Sequence, residues 1–329
     1  MTAIGVDIGG THIRLLHIAP TGRILGRQRL KTRPERGVAE TIAAIVHAIR
    51  QLAEAPNTGP IEAVGIGISG PIDVTTGIVN NPFTLGGWPP TDFRAPFINA
   101  LGVPVVIDND ANVAALGEWW CGAGQGARRM TMVTIGTGIG VATLLNGQMQ
   151  RTTDGRHGEA GHMVLNPSGE KCYCGARGCW EVLSSGTALD KKAVALVERG
   201  EGMLKAMVKG DPSLATSALL FAAAAAGDVQ AQSVIDEMAT WLGLGLVNLA
   251  STIMPDLFVL SGGVIGHFAA IQPEIQRVLK QHSAMIPTDV PVVAAMLGEE
   301  AGALGAAKLA LDVIGSGGRL NADLKFAEH

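Results

Sequence analysis

No stretch of this chain is rich in lysine and arginine, none is apolar for long enough to cross a bilayer, and no G-x-x-x-x-G-K-[ST] phosphate loop occurs. Each absence removes a class of function. Binding nucleic acid by neutralising phosphates needs a basic face. The formal net charge here is −4, so no nucleic-acid partner is expected. A membrane helix needs about 20 predominantly apolar residues, and the longest runs, such as Leu219 to Ala226, fall short of that. The start, Met1-Thr2-Ala3-Ile4-Gly5-Val6-Asp7, has neither the basic region nor the long apolar region of a secretion signal. A cytoplasmic protein with no membrane partner is the expectation. Cysteine is scarce, four residues in 329, yet three of them fall between Cys172 and Cys179. In a reducing compartment that crowding points to metal rather than to disulfides.

What the chain does contain is core-forming material. Hydrophobic residues make up 47% and charged residues 16%, the composition of a folded protein of one large or two medium domains. Ala3 to Asp7 reads as a buried strand, Gly9-Gly10 as a turn and Ile13 to Ile18 as a second strand. Val38, Ile42, Ile45, Val46, Ile49 and Leu52 recur at helical spacing. Ala63 to Ile68 and Val103 to Ile107 read as strands, and Ala111 to Trp120 as a helix. A second round opens at Met130 to Ile135, with a glycine turn and a strand to Leu145. Alanine-rich helices over roughly 188 to 252 follow, then strands at Asp256 to Leu260 and Val292 to Ala295 and a helix over Ala301 to Ile314. Strand, glycine turn, strand thus occurs twice, which predicts a duplicated unit and two α/β domains with a ligand in the cleft between them. The expected division is a small domain over 1–115, rejoined by the returning helix at about 300–314, and a larger one over 116–299 that carries the cysteine loop and the helical insert.

Asp7-Ile8-Gly9-Gly10-Thr11 and Gly136-Thr137-Gly138-Ile139-Gly140 both allow backbone N–H groups to approach an anion, because glycine has no Cβ in the way. Thr11 and Thr137 add hydroxyls, and Asp7 is suited to hold magnesium through water. Each turn taken alone is equally a tight hairpin. Gly65-Ile66-Gly67-Ile68-Ser69-Gly70 matches a dinucleotide fingerprint, but Pro71-Ile72-Asp73 follows where a helix would have to begin, so that reading is rejected. Asp108-Asn109-Asp110 lies just past a strand, where α/β proteins place their chemistry. Asp110 is either a catalytic carboxylate or a helix N-cap. His162, Cys172, Cys174 and Cys179 offer one imidazole and three thiolates, a closed tetrahedral zinc shell of the structural kind. Cys121 has no partner in this pattern.

In their order along the chain, Asp7-Ile8-Gly9-Gly10-Thr11, Asn109-Asp110-Ala111-Asn112, Gly136-Thr137-Gly138-Ile139-Gly140, Gly158-Glu159-Ala160-Gly161-His162, Cys172-Tyr173-Cys174-Gly175-Ala176-Arg177-Gly178-Cys179-Trp180-Glu181 and Gly262-Gly263 resemble the ROK family of sugar kinases, from about residue 3 to 312. The resemblance implies a two-domain actin-like ATPase (ribonuclease H-like) fold with an interdomain active-site cleft, and ATP-dependent phosphorylation of a hexose. It implies Asp110 as general base, and Asn109, Asp110, Glu159, His162, Glu181, Gly70 and Thr84 around the sugar. It implies Asp7, Gly9, Gly10, Thr11, Thr137, Gly138, Gly262 and Gly263 around ATP and Mg2+, and His162, Cys172, Cys174 and Cys179 around structural Zn2+. His162 would then use one ring nitrogen for zinc and the other for the sugar. A homodimer or homotetramer is implied as well.

Two departures from the family pattern bear on the substrate. Val141-Ala142 follows Gly140 where further glycines are usual, and Phe83-Thr84-Leu85 puts Thr84 where asparagine is common. Glucose is the expected sugar, with N-acetylmannosamine, N-acetylglucosamine, allose and fructose as alternatives. Some family members are sugar-responsive repressors. That reading needs an N-terminal DNA-binding segment of several dozen residues, whereas the first phosphate turn here begins at Asp7. A bulky residue at Gly10 or Gly138 is expected to weaken ATP binding and leave sugar binding largely intact.

Overall fold

The computed structural model describes residues 1–315 except 57, 82–87, 153–156, 201 and 285–286. In chain order the elements are β1 (Thr2–Ile8), β2 (His12–Ile18), β3 (Ile24–Lys31), α1 (Val38–Ala53), β4 (Ile61–Ile68), β5 (Ile72–Asp73), β6 (Ile78–Val79), β7 (Thr91–Asp92), α2 (Ala95–Leu101), β8 (Val105–Asn109) and α3 (Asp110–Cys121). They continue with β9 (Arg129–Ile135), β10 (Ile139–Leu145), β11 (Gln148–Met149), α4 (Trp180–Ser184), α5 (Gly186–Arg199), α6 (Leu204–Met207), α7 (Ser217–Ala225), α8 (Val229–Ile253), β12 (Leu257–Ser261), α9 (Phe268–Gln281), β13 (Val292–Ala294) and α10 (Ala301–Gly315). No single described helix is long and apolar enough to cross a membrane.

The duplication expected from the glycine turns is written in the sheets. One has the order β3-β2-β1-β4-β8 and the other β11-β10-β9-β12-β13, so strands pair in the same sequence of roles in both. In the first, β1 and β2 are antiparallel while β4 and β8 run parallel to β1. In the second, β12 runs parallel to β9 and β13 parallel to β12.

The chain divides into two compact units. The first holds Met1–Arg128, Ala142–Gly158 and the chain from Met296; the second holds Arg129–Val141 and Glu159–Ala295. The boundary expected near residue 115 falls inside α3, and the helix cannot be cut there. Gly117 of α3 lies against the Ala301 carbonyl and Gly305 of α10 against the Val113 carbonyl, so a Cβ on either would overlap backbone. Two helices this close form one packing unit.

β1 is buried on both faces, with different chemistry on each. Ile4, Val6 and Ile8 join the apolar face of α1 (Ile42, Ile45, Val46, Ile49, Leu52) in one core. Ala3, Gly5, Ala63 and Gly65 line the other face, and Gly5 and Gly65 let the backbone of α10 lie almost on the sheet. The second unit has its own core around Trp180, Phe258, Leu242, Leu246 and Ile275.

Candidate active site

In the first unit, three parallel strands end side by side. β1 ends after Asp7, β4 pairs Ile68 with Asn109 of β8, and α3 begins at Asp110. Asn109 donates its amide to the Gly70 carbonyl at 3.3 Å, and Asn81 donates to the Ser69 carbonyl at 2.6 Å. Gly70 has φ +103°, a conformation that strains any other residue. Asp7, Gly70, Asn109 and Asp110 are therefore brought together at the strands' carboxyl ends, where α/β sheets place ligands.

The helix cap is Asn109 rather than Asp110. The Asn109 side chain accepts the Ala111 N–H at 2.9 Å, while Asp110 is the first helical residue and accepts the same N–H at 2.8 Å. Capping therefore does not depend on Asp110. Burial pushes its carboxyl above the ordinary range, the N–H groups of Ala111 and Asp110 oppose that, and the nearby Asp108 charge adds to it.

The Gly9-Gly10-Thr11 turn joins β1 to β2 and is pinned by Thr32. Its hydroxyl donates to the Gly9 carbonyl at 2.7 Å and its N–H to the Thr11 carbonyl at 2.9 Å. Asp7 faces Arg14, with Oδ2 3.7 Å from Nη1, and Arg14 holds Glu299 at 2.8 Å. Burial and the Asp110 charge push Asp7 up to about 7 against the pull of Arg14. A half-buried carboxylate beside a second one is a fitting place for a divalent cation.

In the second unit, Gly136-Thr137-Gly138 turns β9 into β10, with β10 starting at Ile139 rather than Val141. Gly136 donates to the Gly138 carbonyl at 3.0 Å, and Gly186, the first residue of α5, donates to the Gly136 carbonyl at 2.8 Å. Gly262 follows β12 at φ +96° and lies against the Ile135 carbonyl, so only glycine fits there, whereas space is open around Gly263. Glu181 on α4 accepts the Ile139 N–H at 2.9 Å. Gly161, in the short turn Ala160–His162, lies against the Ile139 carbonyl. Thr137, Gly138, Glu159, His162, Glu181 and Gly262 are thus gathered around the end of β9. Thr84 lies outside the described residues.

The ligand atoms of His162, Cys172, Cys174 and Cys179 all lie within 4.8 Å of one another. Cys172 Sγ is 3.5 Å from His162 Nδ1, and Cys174 Sγ is 3.5 Å from Cys179 Sγ. A tetrahedral zinc with sulfur at about 2.3 Å has ligand-to-ligand edges of roughly 3.7 Å, so spacing and donor set both fit. Crowding does the rest: burial and the two neighbouring thiols push the Cys179 thiol up to about 12, a cost that a bound cation removes. The loop is pre-shaped by the Cys172 N–H to Ala176 carbonyl bond at 2.8 Å and by glycines at φ +97° (Gly175) and +62° (Gly178).

Sequence reasoning did not single out Tyr173. Its hydroxyl sits 3.2 Å from His162 Nε2, so both ring nitrogens of His162 have neighbours. Burial and the carboxylates of Glu181 and Glu159 help push this phenol up to about 12. Arg14, Arg151 and His157 were likewise missed. Asp108 was read only as part of the acidic centre. It is buried, and Arg151 pairs with it.

The ROK family model matches residues 3–313. The chain is 32% identical to a glucokinase of Halalkalibacterium halodurans over 312 residues, covering 92% of each protein. Among solved structures it resembles a ROK hexokinase from Thermus thermophilus, at 32% identity and a TM-score of 0.81 over 96% of this chain and 100% of that one. It also resembles a ROK family glucokinase from Streptomyces griseus in complex with glucose and AMPPNP, at 32% identity and a TM-score of 0.74 over 95% of this chain and 100% of that one. The strand order repeated in two sheets is that of the actin-like ATPase fold. Two sheets, a shared order of motifs and a match over nearly the whole length lead to one conclusion: this chain belongs to the ROK family.

Proposed function

We propose that this protein transfers the γ-phosphoryl group of ATP to glucose, forming glucose 6-phosphate and ADP. The observation that carries the reading is Asp110, a half-buried carboxylate at the start of α3, beside Asp7 and Asn109 and not needed as the helix cap. Phosphoryl transfer asks for positioning and charge stabilisation more than for covalent chemistry. The 6-hydroxyl oxygen forms the new bond to the γ-phosphorus as the bond to the bridging oxygen of ADP breaks. The hydroxyl proton passes to the Asp110 carboxylate. A general base contributes roughly 100- to 10,000-fold.

Asn109, the Gly70 backbone, Glu159, His162 and Glu181 orient the sugar hydroxyls in this reading. The turns at Gly9-Gly10-Thr11 and Gly136-Thr137-Gly138 and the chain at Gly262-Gly263 bind the nucleotide. Magnesium near Asp7 neutralises phosphate charge when bound. Zinc held by His162, Cys172, Cys174 and Cys179 fixes the segment between Glu159 and Glu181, and three thiolates kept for metal suit a cytoplasmic enzyme.

The test is ADP release measured with glucose, mannose, fructose, allose, N-acetylglucosamine and N-acetylmannosamine. The expected result is the highest kcat/KM with glucose. A higher value with an N-acetylhexosamine reassigns the sugar and keeps the chemistry. No sugar-dependent ADP release with any of them overturns the kinase reading.

A further inference from the structure

The two ring nitrogens of His162 face different neighbours. Nδ1 lies 3.5 Å from Cys172 Sγ, on the side of the cysteine cluster, and Nε2 lies 3.2 Å from the Tyr173 hydroxyl. The same hydroxyl is hydrogen-bonded to Glu181 and lies near the Glu159 carboxylate. We propose that Tyr173 sets the affinity of the site for its sugar: its hydroxyl competes with a sugar hydroxyl for His162 Nε2 and Glu181, and a sugar binds by displacing it. This rests on the reading of Glu159, His162 and Glu181 as sugar ligands.

The direction of the hydrogen bonds is what makes the phenol a rival. With Nδ1 given to the metal, the ring proton sits on Nε2, which then donates to the Tyr173 oxygen. A phenol is protonated at neutral pH, so its O–H donates in turn to the Glu181 carboxylate. One oxygen thus accepts from an imidazole and donates to a carboxylate. A sugar hydroxyl also carries one proton and two lone pairs, and it satisfies the same two partners in the same sense. Glu181 is held ready for either by the Ile139 N–H at 2.9 Å.

Displacement asks little of the fold. Tyr173 is 75% exposed. Its ring meets the His162 ring edge-on, with centroids 5.1 Å apart and planes at 85°. The backbone of the loop is closed without help from this side chain: the Cys172 N–H donates to the Ala176 carbonyl at 2.8 Å and the Gly175 N–H to the Cys172 carbonyl at 3.0 Å. Rotation about the Tyr173 Cα–Cβ bond therefore frees His162 Nε2 and Glu181 while Cys172 and Cys174 stay in place. A site open only part of the time shows an affinity reduced by that fraction, so a hydroxyl that occupies it about 70 to 90% of the time weakens sugar binding by about 3- to 10-fold.

The experiment compares the zinc-loaded full chain with Tyr173→Phe, which keeps the ring and removes the hydroxyl. Glucose calorimetry, steady-state kinetics, thermal melts and zinc content are measured on both. Tyr173→Phe is expected to lower the Kd and KM for glucose by about 3- to 10-fold, with the effect on KM rather than on kcat, at equal zinc content. A residue that only braces the metal loop would instead lose zinc or melt lower, and glucose would bind more weakly. Tyr173 is the only tyrosine in the chain, so ring-labelled tyrosine reports on this residue alone by NMR. The nuclear Overhauser contact between the Tyr173 and His162 rings should disappear as glucose saturates the wild-type protein. Unchanged or weaker glucose affinity in zinc-loaded Tyr173→Phe, or a ring contact that persists at saturating glucose, overturns the proposal. Should Tyr173→Phe not keep its zinc, the ring contact in the wild type decides alone: its loss with glucose upholds the proposal and its persistence overturns it. A wild-type protein that neither binds glucose nor releases ADP with it removes the reading of the sugar site and this inference with it. A wild type that phosphorylates glucose, with an unchanged Tyr173→Phe, removes only the role of Tyr173.

Discussion

The Glu181 carboxylate accepts the backbone N–H of Ile139 at 2.9 Å, and it does so in the space directly against Gly138. A Cβ at position 138 would overlap the Glu181 carboxylate oxygen. The turn read as nucleotide-binding and the carboxylate read as sugar-binding are thus in contact within the second unit. The expectation that Gly138→Val spares sugar binding is therefore corrected. Gly138→Ala and Gly138→Val should weaken ATP and glucose binding together, while Gly10→Val weakens ATP binding alone. Calorimetry with each ligand separately checks this, and unchanged glucose affinity in folded Gly138→Val contradicts it.

Asp110→Asn should reduce kcat by at least about 100-fold and leave the melting temperature unchanged or slightly higher. The cap of α3 is Asn109, so no capping bond depends on the Asp110 charge. Burial already disfavours that charge, so neutralising it costs the fold nothing. Paired melts and sugar-dependent ADP production decide it. A large fall in stability would show that Asp110 holds the helix start after all.

Asp7 sets a pH dependence of stability. Its carboxyl lies at about 7 in the folded chain against an ordinary 3.8. Below about pH 4 it is protonated in both states. Between there and neutrality the folded state keeps a proton that the unfolded state has lost, so stability falls as pH rises and stays reduced above about 7. Each unit corresponds to ~1.4 kcal/mol, so the loss is on the order of a few kcal/mol. Asp7→Asn should flatten this decline and raise the melting temperature at pH 8 without magnesium, while losing activity. Parallel wild-type and Asp7→Asn curves across pH 5 to 8 would sink the assignment.

Much of this was legible beforehand because it is local. The apolar runs of β1, β4 and β12, the helical spacing of α1 and the two glycine turns each lie within a few residues. β3 was missed because Ile24–Lys31 is half polar, as an edge strand facing water has to be. α9 was missed because Pro273 interrupts it near its start, although Ile271, Ile275, Val278 and Leu279 are all buried along one face. The partners of Asp7 and Asp108 could not be read at all. Arg14, Arg151 and His157 reach them only through strand pairing and chain return, and nothing in a charged residue's neighbours in sequence says which carboxylate it will meet.

The metal loop yields a prediction of its own. Purified protein should carry close to one zinc per chain, and Cys174→Ser should lose most of it. Cys174 is the exposed ligand, so the substitution removes a donor without opening a core cavity. Activity should fall because the segment joining Glu159 to Glu181 loses its crosslink. Elemental analysis and activity on the same samples check it, and full activity in metal-free protein contradicts it.

The close seating of α10 on β1 has a consequence for the order in which the molecule is made. Gly5 and Gly65 lie against the Ala303 and Ala306 carbonyls, and the Glu118 carboxylate accepts the N–H groups of Met296 at 3.0 Å and Leu297 at 2.7 Å. The first sheet to leave the ribosome therefore waits, with the part of one face around Gly5 and Gly65 uncovered, for a helix some 300 residues later in the chain. The second unit, contained within Arg129–Ala295, is complete before that helix appears. Synthesis and assembly run in opposite orders here: the unit that begins first closes last, and a nascent chain stalled before residue 296 holds a finished second unit joined to an open first one.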